Sequence, residues 1–213
     1  MEITYYGGSS FTLKGQSGSV TMNPTQDIQS NITTLTNDPE YSKNTQIDSK
    51  FIFRPGEYEI ENILVKGLQT RLDDPKQGPR NITYTISIDG VNICHLGSLN
   101  RPLTANELTN IGEVHVLMLP VGAVEGSLTA GDAAKIIGSL SATFVLPMAY
   151  DPTGILKTDS TLNDKPVITA TVPSLKTFMS DIGLSTITAQ AKLIVTPTNQ
   201  PASTQIVILD PIS

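Results

Sequence analysis

Apolar and polar positions alternate in short runs through the first half of the chain and change period in the second. Segments 3–6, 10–14 and 19–22 alternate with period two and are split by Gly7-Gly8 and by Gly15-Gln16-Ser17-Gly18, the pattern of a meander. Runs at 31–36 and 50–54 follow, the second stopped by Pro55-Gly56. A hairpin is expected over 58–60 and 63–70 with Glu61-Asn62 between its arms, then a polar loop over 71–80, then a strand over 82–88 that turns at Asp89-Gly90. From residue 91 strands and helices alternate. An apolar run at 91–96 ending in Gly97 suits a strand buried on both faces. Thr104 and Glu107 stand at capping-box spacing, Leu108 and Ile111 give one apolar face, and Gly112 stops the helix. A buried strand is expected over 114–121. A second box at Thr129 and Asp132 precedes Ala133, Ile136, Ile137 and Leu140 at i, i+3, i+4, i+7. A strand over 143–147, a Thr/Asp/Pro-rich loop over 151–171, a helix carrying Leu175, Phe178, Met179 and Ile182, and closing strands at 192–195 and 205–209 complete the chain. Helices are thus predicted near 104–111, 130–140 and 174–182, and the strand–helix–strand grammar is that of a layered α/β protein.

Composition narrows the class. The chain has 213 residues, enough for one large domain or two small ones. Charged residues are 16% of it, against about 25% in an average domain, which points to strands with hydroxylated faces. The net charge of −6 and the lack of any Lys/Arg cluster argue against an electrostatic grip on nucleic acid. No apolar run reaches membrane-spanning length and no signal-peptide pattern opens the chain, so a cytoplasmic protein without a membrane partner is expected. The single cysteine, Cys94, lies in a strand and reads as a small buried hydrophobe.

Several motifs resemble a known family. C-H-L-G-S-L at 94–99, L-T-A-N-E-L-T-N-I-G at 103–112 and V-L-M-L-P-V-G at 116–122 look like the small, stand-alone metallo-β-lactamase-fold hydrolases of bacteria and archaea. G-G-S-S-F at 7–11, N-P at 23–24, R-P-G-E-Y at 54–58 and V-K-G at 65–67 follow the same family's order and spacing. The resemblance covers essentially the whole chain and is weakest over 151–171. It implies a single domain over 1–213, a four-layer αββα sandwich of two mixed sheets flanked by helices. In that family, imidazole and carboxylate ligands from loops at strand ends hold two metal ions, and a bridging hydroxide attacks the substrate.

Carried over position by position, the resemblance finds every ligand replaced. The first cluster, His-x-His-x-Asp-His, falls on Asn37, Pro39, Tyr41 and Ser42. A third-loop His falls near Leu72, the Asp that bridges both ions on Ser98, and the last His on Ala149. An early His and Asp correspond to Gly8 and Asn23. Only two histidines exist, His95 and His115, fewer than such a site uses, and both read as structural. Asp38, Glu40, Asp73 and Asp74 lie on adjoining loops and could take a weak Mg²⁺ or Ca²⁺ through oxygen ligands, or simply be solvated. Ser98 after Gly97 looks like an exposed elbow but lacks a G-x-S-x-G frame, and Gly7-Gly8-Ser9-Ser10 is a weak phosphate cradle. The expected protein is therefore metal-free and without cofactor. It is expected to serve as a non-catalytic scaffold for a ligand or partner, the partner being itself as a homo-oligomer or an active paralogue; the alternative is a hydrolase with an unconventional site. Tyr41 is expected to pack across the vacated site.

Overall fold

A computed structural model describes residues 1–37, 50–70, 81–121, 128–150, 175–183, 189–199 and 201–212. The described strands form two mixed sheets. The first six strands in chain order are β1 (Glu2–Tyr5), β2 (Phe11–Lys14), β3 (Ser19–Met22), β4 (Ile32–Thr34), β5 (Phe51–Ile52) and β6 (Gly56–Ile60). Then come β7 (Ile63–Thr70), β8 (Asn81–Ile88), β9 (Val91–His95), β10 (Val116–Pro120), β11 (Phe144–Met148), β12 (Leu193–Ile194) and β13 (Gln205–Ile206). One sheet runs β12-β1-β2-β3-β4-β5 and the other β13-β11-β10-β9-β8-β7-β6. Among the described residues three helices accompany them, α1 (Ala105–Ile111), α2 (Ala130–Leu140) and α3 (Leu175–Asp181). Two mixed sheets with helices give the sandwich that the motif resemblance implies.

Register explains which residues face the interior. In the first sheet Ile3, Leu13, Val20 and Ile32 lie side by side, as do Tyr5, Phe11, Met22 and Thr34. All eight are buried. The alternate row is Thr4, Thr12, Thr21 and Thr33, with the Thr12 and Thr21 hydroxyls 3.3 Å apart. Here are the hydroxylated faces that the low charge content pointed to. In the second sheet β10 and β11 are buried at every position, so they read as continuous apolar runs. Its register lines up Gly67, Tyr84, His95, Met118 and Leu146. Gly67 is required in that row because a Cβ would stand 2.9 Å from the Tyr84 ring. The Tyr84 hydroxyl shares its one proton between Leu35 O at 3.2 Å and Ile52 O at 3.1 Å, reaching from one sheet to the other.

The expected helices are present, with one difference at a cap. Thr104 and Glu107 form the full reciprocal box, and the Glu107 carboxylate also takes Arg101 in a two-pronged pair at 2.7 and 2.9 Å. At α2 the Thr129 hydroxyl accepts from Asp132 N, but the Asp132 carboxylate accepts from the Thr129 hydroxyl and from Lys135 Nζ in place of closing the box. An aspartate is one methylene shorter than a glutamate and receives that hydroxyl in place of the backbone amide. Several strands are shorter than their apolar runs, β5 and β13 keeping two residues each. Among the described residues no helix is long and apolar enough to cross a membrane.

The direction of the strands sets where a site can form. β3 runs parallel to β4, and β9, β10 and β11 are mutually parallel, so their C-terminal ends carry turns toward one end of the sandwich. At the other end the Asp89 carboxylate, in the β8–β9 turn, accepts from Ser17 N, Ser17 Oγ and Gln16 N in the β2–β3 turn, clasping the two sheets.

Candidate functional site

The turns at the C-terminal strand ends contain those described residues that the family resemblance aligns with ligands: Gly8 and its neighbours after β1, Asn23 after β3, Asn37 after β4, Ser98 after β9 and Ala149 after β11. Three of these positions have backbone in the left-handed region, Gly8 at φ +57°, Asn23 at +45° and Ala149 at +57°. Gly97, beside Ser98, sits at +64°, where a Cβ would meet Asn81 Oδ1 at 2.2 Å. Such backbone costs an alanine about 1–2 kcal/mol, and Ala149 tolerates it while its N–H donates to Gly8 O at 2.7 Å.

Both polar side-chain atoms of Asn23 are engaged. Its Nδ2 donates to Ser9 Oγ and to Thr36 Oγ1, both at 2.9 Å, and its Oδ1 accepts from Thr36 N at 2.9 Å. Ser98 is exposed, and its N–H donates to the buried Asn81 Oδ1 at 2.8 Å. Asn81 Nδ2 donates to Leu96 O at 2.9 Å and Thr70 Oγ1 at 2.7 Å. The sequence pattern gives Ser9 only a place in a Gly-rich turn and does not single out Asn81. Their roles come from strand ends that pairing brings together. Asn37 Oδ1, Ser10 Oγ and Thr34 Oγ1 are buried without a hydrogen-bond partner, and all three belong to these same strand ends.

His95, at the end of β9, is fully buried, with Phe11 edge-on at 6.1 Å. Its Nδ1 accepts from Gly97 N at 3.1 Å, so the ring carries its proton on Nε2 and donates to Ser9 O at 3.0 Å. Burial pushes its pKa down to about 4. With both nitrogens occupied it has no lone pair for a metal and no free base for Ser98. His115 Nδ1 likewise accepts from Asn92 N at 2.9 Å. Burial raises the Cys94 thiol to about 12, leaving it inert as a nucleophile.

The fold family implies metal ions, and the described donor set does not suit a transition metal. Gly8 and Ala149 have no side-chain donor, Asn37 and Ser98 offer only neutral oxygens, and the Asn23 amide is consumed internally. Among the described residues no three His, Cys, Asp or Glu side chains gather as a metal site requires. Pro39, Tyr41, Ser42 and Leu72, and the acidic candidates Asp38, Glu40, Asp73 and Asp74, lie outside the described residues.

Two mixed sheets with turns gathered at the ends of their parallel strands define a metallo-β-lactamase-type sandwich. The profile of the β-lactamase superfamily domain matches residues 2–149, and the chain belongs to that family. No curated protein matches it by sequence. By structure it is similar to a Thermotoga maritima protein assigned as a Zn-dependent hydrolase of the metallo-β-lactamase superfamily. They share 21% identity and a TM-score of 0.74 over 98% of this chain and 97% of that one. It also resembles a metallo hydrolase of the archaeon Ignicoccus hospitalis, with 14% identity and a TM-score of 0.58 over 92% and 99% of the two chains. An isothiocyanate hydrolase from Delia radicum gut bacteria is similar at 9% identity and TM-score 0.62, over 92% and 100%. At such identities the likeness is one of fold.

Proposed function

We propose that this protein is a metal-free, non-catalytic member of the β-lactamase superfamily, retained as a scaffold that binds a ligand or a protein partner. The partner classes are a second copy of the chain or an active paralogue. One observation carries the reading: Asn23 stands where the family resemblance places a carboxylate ligand, and its amide makes three hydrogen bonds inside the protein, using both N–H donors and its oxygen. A catalytic metal needs anionic or imidazole ligands with free lone pairs, and neither Asn23 nor His95 supplies one. Elemental analysis of protein purified without chelator tests it, with well under 0.1 equivalent of zinc, iron or manganese expected. Near one equivalent of any of them overturns the reading.

Family membership supports a second reading, a hydrolase that uses a hard cation or no metal, by analogy with the hydrolases that share the fold. The exposed Ser98 hydroxyl is its available nucleophile, and the engagement of His95 with Ser9 and Gly97 weighs against it. Turnover of ester or lactone substrates that disappears in Ser98→Ala would favour this reading over the scaffold.

A further inference from the structure

We infer that the strand ends which hold metal ions in this family are held here by a closed ring of neutral hydrogen bonds through Ser9, an inference that rests on the metal-free reading. The ring can be followed atom by atom. Ser9 Oγ accepts from Asn23, which exchanges two further bonds with Thr36. Thr36 O accepts from Ile82 N at 2.8 Å, crossing from β4 to β8. The neighbouring Asn81 holds the turn after β9 through Leu96 O and Ser98 N. Gly97, within that turn, donates to His95, and His95 returns to Ser9 O. Beside the ring, Ala149 N closes onto Gly8 O and brings in the end of β11.

This circuit joins five strand ends drawn from both sheets, the job that ligands shared between metal ions perform. Metal–ligand bonds would cross-link those ends through charged carboxylates and imidazoles. The ring does so with amides, hydroxyls and one neutral imidazole, and it presents no net charge to draw a cation. An amide at position 23 is what allows closure, because it donates twice and accepts once, whereas a carboxylate only accepts. The Gly97 turn packs against it so tightly that a Cβ would stand 3.0 Å from Thr36 Cβ.

The test compares wild type, Asn23→Ala, Ser9→Ala and the double variant by thermal unfolding at pH 7.5. All samples are freed of metal with a chelator and run with and without added zinc. Asn23→Ala is expected to lower Tm by roughly 5–10 °C and Ser9→Ala by about 2–5 °C. The double variant should be no worse than Asn23→Ala by more than about 2 °C, because the two side chains share one bond. Hydrogen exchange gives a local readout: in Asn23→Ala the Thr36 amide should lose protection while Met118, in the middle of β10, keeps it. If Asn23→Ala does not fold, Ser9→Ala alone still tests the ring by its Tm and by faster exchange at Thr36. Tm values within about 1 °C of wild type, fully additive losses, or unchanged protection at Thr36 would overturn the ring. A zinc-induced rise in wild-type Tm would instead overturn the metal-free reading, so the two failures are separable.

Discussion

Between pH 6.5 and 5 acidification should destabilise this protein chiefly through the buried His95. The imidazole is fully buried, and burial depresses its pKa from 6.5 to about 4 in the folded state. At pH 7.5 it is neutral in both states and contributes no pH dependence. Between pH 6.5 and 4 the unfolded chain takes up a proton that the folded chain refuses, so stability falls as pH falls. Each pKa unit is worth 1.36 kcal/mol, giving a loss of about 2 kcal/mol by pH 5 and about 3 kcal/mol at the plateau below pH 4. The structure supplies the reason: a proton on Nδ1 would face the Gly97 N–H that Nδ1 now accepts. Urea unfolding at pH 7.5, 6.5, 5.5 and 5.0 measures the effect above the range where carboxylates take over. Among those, Glu107 is held below its ordinary 4.5 mainly by its hydrogen bond to Arg101. His95→Gln removes the titration; it shifts the whole profile down but should flatten its slope between pH 6.5 and 5. A wild-type profile flat to pH 5, or an equal slope in His95→Gln, would refute the reasoning.

Three further outcomes are expected. Tyr84→Phe removes the hydroxyl that serves Leu35 O and Ile52 O across the sheets. It should cost about 1–2 kcal/mol in urea unfolding; no loss would mean those carbonyls are satisfied otherwise. Ala149→Gly should leave stability within about 0.5 kcal/mol, because relief of the left-handed backbone offsets the freer unfolded chain. Ala149→Val at the same φ should cost about 1–2 kcal/mol, and equal stabilities of the two variants would show that the turn relaxes. Glu107→Gln weakens the cap and the Arg101 pair and should cost about 1–2 kcal/mol at pH 7. Because the wild-type carboxylate has a lowered folded pKa, its contribution is present above pH 4.5 and is lost as pH falls through that lowered value. The variant and wild type should therefore converge in acid, and a constant gap down to pH 3 would contradict the assignment.

The sequence by itself determined most of the elements, because their signals are local. The Thr104–Glu107 box needs only four consecutive residues, and Asp89-Gly90, with φ of +51° and +75°, needs only two. Period-two runs placed β1, β2 and β3, and unbroken apolar runs placed β10 and β11. Through the family resemblance it also implied which residues stand at the ligand positions, since Gly8, Asn23, Ser98 and Ala149 can be read one at a time. What those residues meet was decided by the tertiary structure. Ser9, Asn23, Thr36, Asn81 and His95 are spread over more than eighty residues of chain, and His95 bonds to Ser9 across 86 positions. No periodicity encodes such a contact. It exists because β3, β4, β9 and β11 end toward the same end of two facing sheets, and sheet register alone sets which polar atoms arrive there. The same holds for Asp132, whose spacing matches a capping box while its side-chain length turns it to a different partner. Local pattern fixes what a residue can form; where the strands stop fixes what it meets.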